Sequence, residues 1–291
     1  MANLKELRNR ITSVSSTMQI TSAMKMVSAA KLNKAQSAIT AMRPYSDKLT
    51  ELLQSLSAAL EGDNASVFSE QRVVNKVLVV AIASNRGLAG AFNTNIIKAS
   101  RNLYENVYAG KQVDFVTIGK KANDILSKTH TIVANESSLF EDLTFNNVVK
   151  IADRLMELYT NGAYDRIELV YNKFRNAASQ DVTVEQFLPI KPIEAPTTTV
   201  TATTTIDYIY EPEQAEIVKE LIPKSLKTQL YKAIRDSFAS EHGARMTAMH
   251  KATDNATELR DSLKLSYNKA RQAAITNEIL EIVGGAEALN G

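Results

Sequence analysis

Leu4, Leu7, Ile11, Val14 and Met18 alternate by steps of three and four, the repeat that lays one apolar stripe along a helix and seats it against a second helix. Continued, that register carries Thr21, Lys25 and Ser28 onto the stripe and becomes apolar again at Leu32, Ala35, Ile39 and Met42. Around it, Ile20, Ala23, Met24, Met26, Val27, Ala29 and Ala30 spread apolar surface over the rest of the cylinder, more than one partner helix can cover. Tyr45, Leu49, Leu52 and Leu56 follow with the phase shifted. Pro44 sits at the shift, where its missing N–H and ring clash predict a kink or break.

The other end of the chain has the same character. Residues 213–289 read as one helix, which at ~1.5 Å per residue would run roughly 110 Å, whereas an ordinary globular helix has about 11 residues. Met249, Ala252, Ala256, Leu259, Leu263, Tyr267, Ala270 and Ala274 keep the three-four spacing, and the small residues among them let two helices approach closely. Such a rod needs a partner. The only comparable stretch is residues 4–60, so the two ends are expected to pair as antiparallel helices. Gly284 and Gly285 each cost about 1 kcal/mol against alanine in a helix interior, which predicts fraying of the last turns unless other chains hold them.

Between the rods the pattern changes class. Gly62 ends the first helix, and residues 77–83 form an unbroken apolar run with the length and branching of a buried strand. Residues 84–90 are a turn, 92–107 a helix, 113–118 a strand, 120–127 a helix, 131–133 a short strand, 146–159 a helix, 166–174 a strand and 182–188 extended. That alternation predicts a small parallel or mixed α/β sheet. Pro189, Pro192 and Pro196 then punctuate a low-complexity threonine tract at 197–205, and Pro212 suits the first turn of the long helix. The expected architecture is a long antiparallel coiled coil of N- and C-terminal helices plus a central Rossmann-like α/β domain. Its divisions are a helix at 1–60, the α/β domain at 74–196, a Thr-rich linker at 197–211 and a helix at 212–291.

Composition narrows the chemistry. The balance of 34 basic and 32 acidic side chains in 291 residues gives no global electrostatic reason to bind nucleic acid or an anionic membrane. The absence of cysteine removes disulfides, thiolate nucleophiles and Cys-ligated metal, and fits a reducing compartment. The N-terminus, with Lys5, Glu6, Arg8 and Arg10, reads as the start of the fold and not as a signal or transit peptide. No apolar run approaches the ~20 residues that span a bilayer, so no direct bilayer insertion is expected. Three glycosylation sequons, beginning at Asn64, Asn135 and Asn255, fit chance occurrence.

Candidate chemistry is sparse. The turn with Gly87 and Gly90 follows a strand and opens a helix, where a mononucleotide fold holds phosphate. It lacks a complete glycine fingerprint and has Arg86 as its one cation, so it reads more simply as a tight turn. His242, Met246 and His250 share a helix face at a spacing that a soft metal could use, without a third strong ligand nearby in sequence. His130 has no Ser, Asp or Glu constellation around it. Lys219, Lys224, Lys227, Lys232 and Arg235 make the start of the long helix basic, which is either a solvated face or a docking surface for an acidic partner.

Several motifs in order resemble the γ subunit of F-type ATP synthases. They are residues 20–27 (ITSAMKMV), Arg43-Pro44-Tyr45, residues 84–90 (SNRGLAG), residues 207–212 (DYIYEP), residues 249–255 and, most specifically, residues 267–278 (YNKARQAAITNE). The likeness covers nearly the whole chain. It departs at Asn85, where the family commonly has Asp, and at Ala89 and Ala91, where it has Cys and Gly. It also lacks the cysteine-bearing insertion of chloroplast relatives, so no redox switch is expected.

The resemblance implies a non-catalytic central rotor stalk that couples rotation of a membrane ring to conformational change at catalytic sites on the β subunits, for ATP synthesis or hydrolysis. It implies α and β subunits of a catalytic hexamer, an ε subunit and a c-subunit ring as partners, and no cofactor or metal. It places the chain peripherally at the cytoplasmic face of a bacterial plasma membrane. By the same likeness Met24, Lys25, Arg271, Gln272 and Thr276 contact the α/β ring, and Tyr208 and Glu211 face the membrane ring and ε. Two other classes stay open on the residues alone: a nucleotide-binding α/β regulator with helical arms, and a coiled-coil tether.

Overall fold

The structure is a computed structural model that describes residues 4–57, 67–190 and 214–290. The turn at Gly62 and the whole 197–211 linker, with Tyr208 and Glu211, lie outside the described residues. The chain forms two compact units, one of Met1–Ala29 with Arg245–Gly291 and the other of Ala30–Ala244.

The larger unit is built on a five-stranded sheet of order β3-β2-β1-β4-β5. Its strands are β1 (Lys76–Ile82), β2 (Gln112–Ile118), β3 (Ile132–Asn135), β4 (Arg166–Phe174) and β5 (Gln180–Leu188). The first four run parallel, and β5 returns antiparallel to β4. The apolar run is the centre of this sheet: every residue from Val77 to Ile82 has no solvent exposure. Leu78, Val80 and Ile82 point to one face and Val77, Val79 and Ala81 to the other, so a strand covered on both sides has no polar position to alternate with.

Two helices, α2 (Phe92–Asn102) and α3 (Lys120–Leu126), cover the second face through Ile96, Ile97, Ala122 and Leu126. On α2 a π-helical turn, Leu103–Val107, continues the helix. The first face carries α4 (Phe145–Thr160), through Val148, Ile151, Leu155 and Tyr159, beside the first part of α5 (Gln214–Asn290). From α5 come Ile222, Leu226, Leu230, Ala233 and Ile234. The long helix is therefore part of the domain core before it is anything else. Burying each Leu or Ile contributes about 1.5 to 3 kcal/mol.

The first helix, α1 (Leu4–Ser57), is continuous through Pro44, so the expected break does not occur. Over the described side chains the phase does not shift: after Leu32, Ala35 and Ile39 the buried positions are Ser46 and Leu49, which keep the original steps, while Tyr45 is exposed, and the side chains of Leu52 and Leu56 lie outside the described ones. Pro44 is exposed, as is Thr40, whose carbonyl loses its helical donor to the proline ring nitrogen.

In the smaller unit, residues 4–29 of α1 pair with α5 in antiparallel register. Arg8 Nη2 donates to Tyr267 Oη at 3.0 Å, Thr257 Oγ1 donates to Met18 Sδ at 3.4 Å, and Thr21 and Thr253 share a hydrogen bond of 2.8 Å. The numbers of each pair rise on one helix as they fall on the other, which fixes the alignment over the described stretch. On α5 the inward positions are Met249, Thr253, Ala256, Arg260, Leu263, Tyr267 and Ala270. Leu259, placed on the stripe by spacing, is 52% exposed. Arg260 takes its place because its guanidinium reaches Met18 Sδ at 3.5 Å, a contact invisible to an apolar count.

Replacing Leu230 with Ala removes a side chain with no exposure from the helix–sheet contact. Urea denaturation of the purified Leu230→Ala chain is expected to show a loss of about 2 to 5 kcal/mol.

Candidate functional site

In an open α/β sheet a ligand is held outside the carboxyl ends of the strands, where the strand order reverses. Here the reversal falls between β1 and β4. The turn after β1 closes on itself. Ser84 donates through its N–H at 3.0 Å and its Oγ at 2.9 Å to Asn93 Oδ1, and Asn85 Nδ2 donates to Ser137 O at 2.8 Å while its Oδ1 accepts from Lys120 N at 2.9 Å. Asn85 thus uses both halves of its amide, and an ionised aspartate could supply only the accepting half.

Gly119 lies so close to the turn that a Cβ there would meet Ala83 O at 2.4 Å, and its φ of +112° is one that side chains rarely adopt. Leu88 also stands at positive φ, 61°, with its side chain 65% exposed. The side chains of Ser84 and Asn85 are thus spent on bonds within the protein. The bland reading of the turn is the one the geometry supports.

The crevice itself is filled by α5. Ser237 Oγ donates to Ile82 O at 3.3 Å, at the end of β1, and Ser240 Oγ donates to Asn172 O at 2.9 Å, near the end of β4. Gly243 follows against the β4–β5 turn, where a Cβ would lie 3.1 Å from Ala177 O. The sequence signal for this was the run of small residues Ser237, Ala239, Ser240 and Gly243, and it was missed. A nucleotide has no room where a helix backbone sits.

Two of the five cations at the start of α5 are committed to its own domain. Lys227 Nζ pairs with Asp153 at 2.8 Å, and Arg235 donates to Leu143 O at 2.9 Å and to Tyr231 Oη. Gln229 Nε2 donates to Glu185 Oε1 at 2.7 Å, and Tyr171 Oη donates to Glu185 Oε2 at 2.7 Å. Burial first, and then the charge of Glu185, hold the Tyr171 phenol well above its ordinary range, so it remains a donor at any physiological pH. Lys219 and Lys224 are exposed.

The histidines stay apart. His242 is buried edge-on to Phe238 at 4.5 Å, and His250 is exposed beside Asp254 at 3.3 Å. His130 packs edge-on against Tyr104 and Phe115, and burial lowers its pKa. Among the described residues no three His, Asp or Glu side chains converge on a metal position.

In the smaller unit Met24 and Lys25 are half-buried at the pairing face, while Arg271, Gln272 and Thr276 are exposed on α5, with Thr276 Oγ1 turned back to Gln272 O at 2.9 Å. The two groups are separate. With Thr21 opposite Thr253, Lys25 lies near residue 249 and so on the order of 30 Å along the rod from Arg271. Around them much apolar surface is bare: Ile20, Met26 and Val27 on α1, and Ile275, Ile279, Leu280, Ile282 and Val283 on α5, are each 48% exposed or more. The alignment fits the second group, because a residue facing Leu4, the first described residue of α1, is near 271.

Residues 3–289 match the family described as ATP synthase. The ATP synthase gamma chain of Flavobacterium psychrophilum is 71% identical over the full length of both chains, and that of Cytophaga hutchinsonii is 53% identical, also over both full lengths. The chain belongs to the ATP synthase γ-chain family. A chain of the Euglena gracilis mitochondrial ATP synthase, in a structure of OSCP, F1 and c-ring, shares the fold with a TM-score of 0.70 at 22% identity, over 98% of this chain and 94% of that one. A second Euglena gracilis structure, of the rotor, gives 0.65 at 21% identity, over 94% and 98%. In this γ chain the α/β domain carries a helix at the strand-order reversal where open α/β sheets commonly hold a ligand.

Millimolar MgATP is therefore expected to leave the melting temperature of the purified chain unchanged. Stabilisation that grows with nucleotide concentration would show that the crevice opens.

Proposed function

We propose that the chain is the central rotor shaft of a proton-translocating ATP synthase. In this reading the paired helices turn inside a hexamer of α and β subunits, and the α/β domain binds the ε subunit and the c-subunit ring. The observation that carries it is the bare apolar surface around Ile20 to Val27 and along residues 275–283, which a single helix partner does not cover and a surrounding collar does. The family membership supports the same assembly. The chain is a subunit without catalytic groups of its own, attached peripherally at the cytoplasmic face of a bacterial plasma membrane. No helix among the described residues is long and apolar enough to cross one.

An asymmetric rod offers different surfaces to three chemically identical catalytic subunits, and each is biased toward the conformation that meets its surface best. Met24 and Lys25 form the lower contact with the ring. Arg271, Gln272 and Thr276 form the upper, polar catch on a catalytic subunit, and Tyr208 and Glu211 face the membrane ring and ε. Arg271 is the group on which the catch depends, since a hydrogen bond to a charged group contributes roughly 1.5 to 3 kcal/mol.

The Arg271→Ala chain is expected to fold and melt as the parent does, because the side chain is exposed. In the reconstituted enzyme it is expected to lower ATP synthesis and hydrolysis by about tenfold or more. Rates equal to the parent's would remove Arg271 from the catch.

A further inference from the structure

We infer that the seat of α5 across the ends of β1 and β4 is the torque joint of this chain, a contact that stays closed through every step of turnover. The inference rests on the rotor reading and deepens it. A shaft helix lying in an apolar groove could roll, because apolar contact has no preferred direction. Torque would then be lost between the helix and the domain that carries it.

The joint removes that freedom in three ways. Ser237 and Ser240 donate directional hydrogen bonds to carbonyls of β1 and β4, the two central strands of the sheet, so the helix is tied to the stiffest part of the domain. Lys227 and Arg235 hold the helix to α4 and to the loop before it, off the line of the two serines, so a roll that relaxes one set stretches the other. At Gly243 the helix backbone is already so close to Ala177 that a roll toward the β4–β5 turn meets backbone. That turn is itself braced, with Asn176 Oδ1 accepting from the N–H groups of Ala178 at 2.9 Å and Ser179 at 2.7 Å. From Lys227 to Gly243 these ties span about 24 Å of helix, long enough for a lever arm against bending as well as rolling.

Because the chain has no cysteine, the joint can be locked cleanly. A Cβ at 243 would lie 3.3 Å from Ala177 Cα, within the reach of a disulfide. The Ala177→Cys, Gly243→Cys double variant is assembled into the complete membrane enzyme and oxidised. Disulfide formation with ATP synthesis and ATP-driven proton pumping unchanged is the expected result. Failure of the bond to form, or loss of activity that a reductant restores, would overturn the closed joint.

A second variant loosens the seat. With Gly243→Phe, ATP hydrolysis by the detached catalytic complex of α, β and this chain is expected to stay near the parent's, while proton pumping per ATP in the membrane enzyme falls several-fold. An unchanged pumping ratio, or equal loss in both assays, would refute the inference. Failure of the rotor reading looks different, because the unmodified chain would then support no coupled pumping at all.

Discussion

The apolar contact of α5 with the sheet is the interaction on which the rest depends. A helix of 77 residues gains little from propensity alone, and most helical stability in proteins comes from packing. This one shows three burial regimes in succession. From Leu230 to Gly243 it is covered on nearly every side, as a central helix of a domain is; from Met249 to Ala270 it is covered along one stripe; from 271 to 286 it is bare. The enclosed segment has the most partners, and the later segments have progressively fewer of their own.

Enclosing a helix over the ends of parallel strands forces a polar solution. Strand ends and turns leave carbonyls and N–H groups facing the crevice, and each would cost about 1 to 3 kcal/mol if buried without a partner. Serines at 237 and 240 meet two of those carbonyls, and the Asn85 amide bridges the β1 turn to Ser137 and Lys120. The groups that would greet a phosphate in a nucleotide-binding relative of this fold are consumed here in holding the protein together. Fold and function part at this point: the topology is that of a ligand-binding sheet, while the crevice has become a mechanical seat.

Much of this was legible in the sequence, for stated reasons. Residues 77–82 could be read as a central strand because both faces are buried, and the antiparallel pairing followed from two rods of otherwise unpartnered length. The registry of the rods was not legible in full. Leu259 satisfied the apolar spacing but lost its place to Arg260, whose stem packs inward while its head finds a thioether. Pro44 looked like a break because propensity is local, whereas the continuing stripe through Ser46 and Leu49 holds the helix across it. The crevice contacts of Ser237, Ser240 and Gly243 were hidden because small residues carry no periodic apolar signal, and their partners are backbone atoms far away in the chain. The proposed catch at Arg271, Gln272 and Thr276 was visible only through resemblance, since an exposed polar triplet on a helix says nothing by itself about what it meets.

The seam between α1 and α5 combines buried apolar side chains, Leu7, Met249 and Ala256 among them, with a few directed polar contacts. Thr21 with Thr253, Met18 with Thr257 and Arg260, and Arg8 with Tyr267 set the register by directed contacts, so the two helices cannot slide to an equally apolar alternative alignment. Apolar side chains also stand outside the seam, Ile20, Met26 and Val27 among them, and apolar contact is non-directional. The directed contacts in the seam fix the alignment of the two helices, and the bare apolar side chains outside it remain open to other surfaces.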